Sequence, residues 1–287
     1  MQINGWRYYN HAALPDVPPH VSADLRPIED GSIWGIHKGC YLARWISDYD
    51  CPEETNWWYV IKDCPFNIED LKSKRRYEIN KGKKFFHVRQ IDPRCCKEEI
   101  YTIQTKAYSA YPEKYRPTVC KDILFKEIDE WRYSYFYGAF SNEDGGLCGY
   151  AWLNRTDNYI YYAFHKVVPE YEKKGINAAI VAQILEDLKD DLDHGCYLCD
   201  GSRNVAHETH FQDYLEKYFG FRKAYCRLHV CYKPGVDILV KVIYPFRSLL
   251  IALDSVPFIH NLNSVLKMEE LRRNQFPISD GLIRMEK

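Results

Sequence analysis

The chain carries almost no net charge: 39 basic and 40 acidic residues leave a formal −1. That balance argues against a generic binder of nucleic acid or acidic polymers, while leaving room for a local basic patch. No apolar run spans a bilayer cleanly, because the most apolar stretch, Val236 to Leu253, is broken by Asp237, Lys241, Pro245 and Arg247. The start, Met1-Gln2-Ile3-Asn4-Gly5-Trp6, lacks the basic residues and apolar core of a secretion signal, so a cytoplasmic protein is expected. Its 11 cysteines then read as reduced thiols used mainly as small apolar residues. No second Cys pair completes a metal site with Cys196-x-x-Cys199, and the two histidines of His207-Glu208-Thr209-His210 stand three apart rather than the four of a zinc-protease helix. No metal is expected. Internal repeats and low-complexity tracts are also missing.

What is present suits a folded protein of one large or two modest domains: 287 residues, 46% of them apolar. The 24 tyrosines suit an aromatic-lined groove, but plain sheet packing is the favoured reading.

The most informative stretch runs from Tyr159 to Phe221. Tyr159 to Val168 is an almost unbroken aromatic and β-branched run, a strand of the kind buried in a sheet interior, and Pro169 ends it. After Glu172-Lys173-Lys174-Gly175-Ile176-Asn177, apolar residues recur at Ile176, Ile180, Val181, Ile184, Leu185, Leu188 and Leu192, which is helical spacing, and Gly195 stops the helix. A glycine beside two lysines at a helix start offers free N–H groups and positive charge to one spot, which suits a phosphate; an ordinary strand-to-helix turn explains it as well. Cys196 to Asp200 is a second strand that ends in a carboxylate, where ligands of open α/β sheets collect.

This stretch resembles the GNAT superfamily of N-acyltransferases, whose Gln/Arg-x-x-Gly-x-Gly/Ala turn holds the diphosphate of acetyl-coenzyme A. The matching positions are Glu172, Gly175 and Asn177, so only the middle glycine is kept. The resemblance implies binding of acetyl-CoA or another acyl-CoA as co-substrate by Lys173, Lys174, Gly175, Ile176 and Asn177, with backbone N–H groups near Val167 and Val168 holding an oxyanion. Asp200 is the candidate base, Arg203, His207 and Glu208 line the acceptor side, and Tyr218 or Tyr214 is the candidate acid. Tyr218 stands two before Gly220, whereas Glu216 occupies the family's tyrosine position.

Upstream, strands are expected at Ser32 to Ile36, Cys40 to Ile46 and Trp57 to Lys62, then a helix capped by Asn67 and closed by Gly82. The dense basic run Lys72 to Lys84 on that helix can meet phosphates or be a solvated face. It is similar to the basic helix of Fem-type peptidoglycan-bridge aminoacyltransferases, a resemblance that implies tRNA as a partner and a bacterial role in cell-envelope metabolism. Next come a strand Phe85 to Ile91, a helix opened by Asp92-Pro93, a helix Cys120 to Trp131, a hairpin Tyr133 to Phe140 with Leu147 to Leu153, a helix Thr209 to Gly220 and a half-buried strand Phe221 to Tyr232. Val265 to Arg273 reads as a final helix.

The expected fold is α/β, a GNAT-like mixed, mostly antiparallel sheet with helices on both faces over residues 85–233. A mixed N-terminal extension (1–84) and a helical C-terminal appendage (234–287) complete it. The expected activity is transfer of an acyl group from a coenzyme A thioester to a small-molecule or peptide amine. The alternatives are an aminoacyl-tRNA donor, as in the Fem-type enzymes, and a non-catalytic GNAT-like binding module.

Overall fold

Aromatic and β-branched segments form the strands, and segments of helical periodicity form the helices between them. The computed structural model describes residues 3, 5–111, 113, 116–131, 135–204, 210–253 and 256–275. In chain order the elements are β1 (Trp6–Tyr9), β2 (Ala12–Pro15), α1 (Arg26–Glu29), β3 (Leu42–Ser47), β4 (Trp58–Lys62), α2 (Ser73–Phe85), β5 (Phe86–Gln90), α3 (Lys97–Ser109), α4 (Lys121–Asp129), β6 (Tyr135–Ser141), β7 (Leu147–Thr156) and β8 (Tyr159–Val167). They continue with α5 (Ile176–Asp187), α6 (Lys189–Asp193), β9 (Tyr197–Ser202), α7 (His210–Phe219), β10 (Arg222–Tyr225), β11 (Arg227–Tyr232), α8 (Val236–Ile243), α9 (Arg247–Ile251) and α10 (Pro257–Arg273). The chain divides into two units, one of Met1–Tyr59, Ser202–Thr209 and Lys223–Lys287, the other of Val60–Gly201 and His210–Arg222.

A seven-stranded sheet has the order β10-β4-β9-β8-β7-β6-β5, and its strands β5 to β8 lie wholly in the second unit. Strands β5 to β8 pair antiparallel, and β9 joins β8 in parallel. Helices α3 and α4 cover one face, burying Ile100, Ile103, Leu124 and Ile128 against Phe136, Tyr150 and Trp152. Helices α5 and α2 lie on the other side of β5 and β6. This is the mixed, mostly antiparallel sheet with helices on both faces that the element order implies. In the first unit a sheet of order β1-β2-β3-β11 has one face filled by Trp6, Ala13, Ala43, Ile33, Ile36 and Cys40. All 11 cysteines are unpaired, and among the described residues no helix is long and apolar enough to cross a membrane.

The local structure departs from expectation at four places. Ser32–Gly35 is a 3-10 turn, not a strand, because Gly31 enters it at φ 76° and Ile33 and Ile36 drop into the core three residues apart. Asn67 caps only the short turn Ile68–Asp70, and α2 begins later, at Ser73. That helix runs through Gly82 to Phe85 instead of stopping there. Finally, Phe221 to Tyr232 is two strands in different sheets, separated at the fully buried Cys226, whose N–H donates to the Trp57 carbonyl (3.0 Å).

Gly82 is present for contact, not termination. A methyl group on it would meet the Gly175 carbonyl oxygen and stand 3.0 Å from Ala179 Cβ, while one on Gly175 would stand 2.9 Å from the Glu78 carbonyl oxygen. The two glycines let α2 and the start of α5 touch backbone to backbone. Gly82→Ala should therefore cost roughly 1–3 kcal/mol, since a backbone carbonyl cannot turn aside. Gly35→Ala, with nothing within 4 Å of the added carbon, should change stability by no more than about 0.5 kcal/mol. Urea unfolding of both variants tests the contact, and equal midpoints would refute it.

Candidate functional site

The site forms where two parallel strands part. Strand β8 has nine residues, yet it pairs with β9 only through Tyr159↔Tyr197, Ile160↔Leu198 and Tyr161↔Cys199. Beyond Tyr161, β8 continues beside β7 as far as Gly149↔Val167 and leaves a notch at the carboxyl ends of the parallel pair.

A one-residue bulge decides which side chains face that notch. Phe164 lies opposite Trp152 but Tyr162 lies opposite Leu153, so Ala163 is the extra residue. In a regular strand Tyr162 and His165 would point to opposite faces. The bulge turns them to the same one. The Tyr162 hydroxyl then donates to His165 Nδ1 (2.7 Å), and His165 Nε2–H donates to Asn177 Oδ1 (2.8 Å) at the start of α5. Because Oδ1 only accepts, the imidazole proton sits on Nε2. From α7, Phe211 packs against both rings, 4.9 Å from His165 and 5.8 Å from Tyr162. Asp200, the residue of β9 just past the last paired position, closes the group and receives a hydrogen bond from Gln212 of α7.

The electrostatics follow from burial. Loss of solvent pushes the Asp200 carboxyl up from 3.8 to about 7, with the Gln212 hydrogen bond opposing. Burial also pulls His165 down from 6.5 to about 4 against its hydrogen bond to Asn177, so the imidazole is neutral at physiological pH. It lifts the Tyr162 phenol well above its ordinary range, with Asp200 adding to the rise. The notch thus holds one carboxyl poised near neutrality beside a neutral hydrogen-bonded chain, a combination suited to accepting a proton.

The other sequence-predicted residues are distributed as follows. Val167 and Val168 are buried at the end of β8, and the Val168 N–H is committed to the Cys148 carbonyl (2.9 Å). Gly175 adopts φ 85° at the start of α5, where no side chain caps the first turn. Lys173 is exposed and its carbonyl accepts from Lys81 Nζ (2.7 Å), whereas the Lys174 ammonium rests over Phe85 (5.3 Å) and Tyr171 (5.2 Å). Ile176 is buried, and Asn177 ties α5 to β8 through His165. Tyr218 stacks beneath the Arg75 guanidinium at 3.0 Å and lies 5.3 Å from Tyr214, its phenol held below the ordinary value mainly by Lys217. Arg203 belongs to the first unit, where it lies over Trp58 (4.4 Å) and donates to the Asn56 carbonyl (2.8 Å). His207 and Glu208 lie outside the described residues. Sequence reasoning missed Tyr162, Phe211 and Gln212; a polar histidine inside an aromatic strand was the one signal that pointed to them.

No protein-family model matches the chain, and no curated protein matches it in sequence. Solved structures do. The C-terminal domain of a putative lysylphosphatidylglycerol synthetase from Agrobacterium fabrum superposes with a TM-score of 0.50 at 8% identity, covering 83% of this chain and 82% of that one. L-PGS from Bacillus licheniformis gives 0.45 at 14% identity, over 80% of each chain. A PaiA N-acetyltransferase from Thermoplasma acidophilum, solved with coenzyme A, gives 0.30 at 21% identity, over 37% of this chain and 72% of that one. At these identities the likeness is one of fold alone.

Asp200 makes stability depend on pH. Its folded pKa is raised, so the folded protein holds the proton more tightly than the unfolded chain. Its contribution therefore falls as pH rises from about 4 to 7, and the full cost is present above 7. Asp200→Asn should be more stable than the parent at pH 8, by on the order of 3 kcal/mol, and the gap should narrow as pH falls toward 4. Urea unfolding across this range tests the assignment; a gap independent of pH would contradict it.

Proposed function

We propose that the protein is an N-acyltransferase that moves an acyl group from an activated carrier to an amine, with Asp200 as general base. The observation that carries this reading is the carboxyl with a pKa of about 7 at the parted carboxyl ends of β8 and β9. The lone pair of the neutral amine attacks the carbonyl, the Asp200 carboxylate takes the one proton the nitrogen sheds as the N–C bond forms, and the carbonyl's bond to the carrier breaks. The proton leaves with the departing thiolate or hydroxyl. The neutral chain Tyr162, His165 and Asn177 fixes the wall of the notch beside the reacting carbonyl without competing for the proton.

The first candidate carrier is a coenzyme A thioester, which supplies the activated acyl group when bound. The uncapped first turn of α5 and Lys173 are the groups that would hold its diphosphate. A second reading, an aminoacyl-tRNA, is favoured by one observation: α2 packs on Gly175 and fills that side of the turn, while its Lys72, Lys74 and Lys84 remain exposed. The name of the structural neighbour from Agrobacterium fabrum, a putative lysylphosphatidylglycerol synthetase, is compatible with aminoacyl transfer.

Thiol release from acetyl-CoA across a panel of amines tests the first reading. Asp200→Asn should lower kcat by about 10²–10⁴, and kcat/KM should rise with pH and level off above about 7. Reversing Lys173 and Lys174 to Glu should weaken coenzyme A binding about ten- to a hundredfold for each charge-assisted hydrogen bond that is removed. Turnover only with aminoacyl-tRNA, abolished by reversing Lys72, Lys74 and Lys84 and falling steeply with salt, would replace it by the second reading. Binding of either carrier without turnover would mark a binding module.

A further inference from the structure

Strand β4 ends in a charge that burial makes costly. Lys62, its last residue, is only 5% exposed, whereas a lysine ordinarily keeps its ammonium in water. Among the described residues no carboxylate pairs with it, and the neighbouring Asp63 is engaged by Arg222 (2.5 Å). The Lys62 ammonium donates instead to the Gly220 carbonyl (3.3 Å) and to the Cys64 sulfur (3.1 Å). All of these residues belong to the second unit.

Cys64 is set apart from the other cysteines by what surrounds it. It is exposed, as are Cys95 and Cys120, and among the described residues it is the one of these three whose sulfur accepts a hydrogen bond from a lysine. Cysteine reacts with a peroxide as its thiolate, and a cation beside the sulfur offsets the negative charge. The next residue is Pro65, which has no N–H. The usual condensation of a cysteine sulfenic acid with the following backbone nitrogen is therefore closed, and the nitrogen at reacting distance is that of Lys62. At 3.1 Å, sulfur and nitrogen already stand as far apart as the atoms of a near-attack pair.

We propose that Lys62 and Cys64 form a reversible covalent redox pair, a sulfenamide closed by hydrogen peroxide and opened by thiols. The Cys64 thiolate attacks the peroxide, and its S–O bond forms as the O–O bond breaks. The departing hydroxide takes a proton from the Lys62 ammonium and leaves as water. The lone pair of the freed amine then attacks the sulfur of the sulfenic acid, forming the N–S bond as the S–O bond breaks, and the second hydroxide leaves as water with a proton from that nitrogen. Sulfur is oxidised by two electrons and the peroxide is reduced by two. A thiol reverses the link by attacking the sulfur, which returns the amine and gives a mixed disulfide that a second thiol reduces. Closure also discharges a buried cation that has no carboxylate beside it among the described residues. The pair does not depend on the acyl-transfer reading.

The test treats the reduced full chain with stoichiometric hydrogen peroxide, alkylates the remaining thiols and maps the tryptic peptides by mass spectrometry. Trypsin should lose its cut after Lys62. The uncut peptide of residues 45–72 should carry an alkylated Cys51 and be lighter by two hydrogens than the same peptide with Cys64 as a free thiol. Dithiothreitol should restore both the cut and the thiol. Lys62→Arg keeps a cation beside the sulfur but replaces the amine by a guanidinium, so Cys64 should still oxidise, proceed to the sulfinic acid and no longer be recovered by dithiothreitol. Cys64→Ser, a change at an exposed position, should be cut after Lys62 at every peroxide level, and it carries the control if the arginine variant does not fold. Complete cutting after Lys62 in the oxidised parent, a disulfide through Cys64, an uncut peptide that has gained oxygen, or a link that survives in Lys62→Arg would overturn the proposal.

Discussion

The extra residue Ala163 in the β7–β8 pair is the constraint on which the candidate site depends. Strand side chains alternate, so two residues three apart cannot share a face unless the count is broken between them. With the bulge, Tyr162, His165 and Asn177 become one hydrogen-bonded chain, and the face that carries it turns toward Asp200 and α7. The pairing of β8 with β9 stops at Tyr161↔Cys199, and the next residue of β9 is a carboxyl whose proton affinity is set by burial.

Burial acts in opposite directions on the groups it encloses. The same loss of solvent raises Asp200 and Tyr162 and lowers His165, so two are neutral and the third is balanced between forms near neutral pH. In the first unit Arg44 meets the same penalty but cannot shed its charge at physiological pH. Its guanidinium lies over the Trp57 ring, 5.2 Å from the centre.

The turn at Gly175 shows how one residue type can serve two demands. A glycine at a helix start beside lysines offers an anion free N–H groups, and here it also admits the backbone of α2 to contact. Lys174 is drawn off onto Phe85 and Tyr171, leaving Lys173 as the exposed cation. The exposed lysines of α2 keep the sequence's one dense basic run in solvent.

By itself the amino-acid sequence determined the elements whose signals are local. The aromatic run of β8, the periodic stripe of α5 and the hairpin β6–β7 all follow from alternation, spacing and turn residues within a dozen positions, whereas the strand expected to end at Asp200 runs on to Ser202. Tertiary structure decided what depends on distant partners. The bulge exists only in the pairing of β8 with β7, Gly82 has its meaning only against Gly175, and the single strand legible in Phe221 to Tyr232 splits because its halves pair in different sheets. Arg44 reads as an ordinary strand residue until the register shows the apolar row it interrupts. Local periodicity records which side of an element is dry, but what lies opposite is set by long-range pairing, and proton affinities and unmet hydrogen bonds are properties of those opposing surfaces.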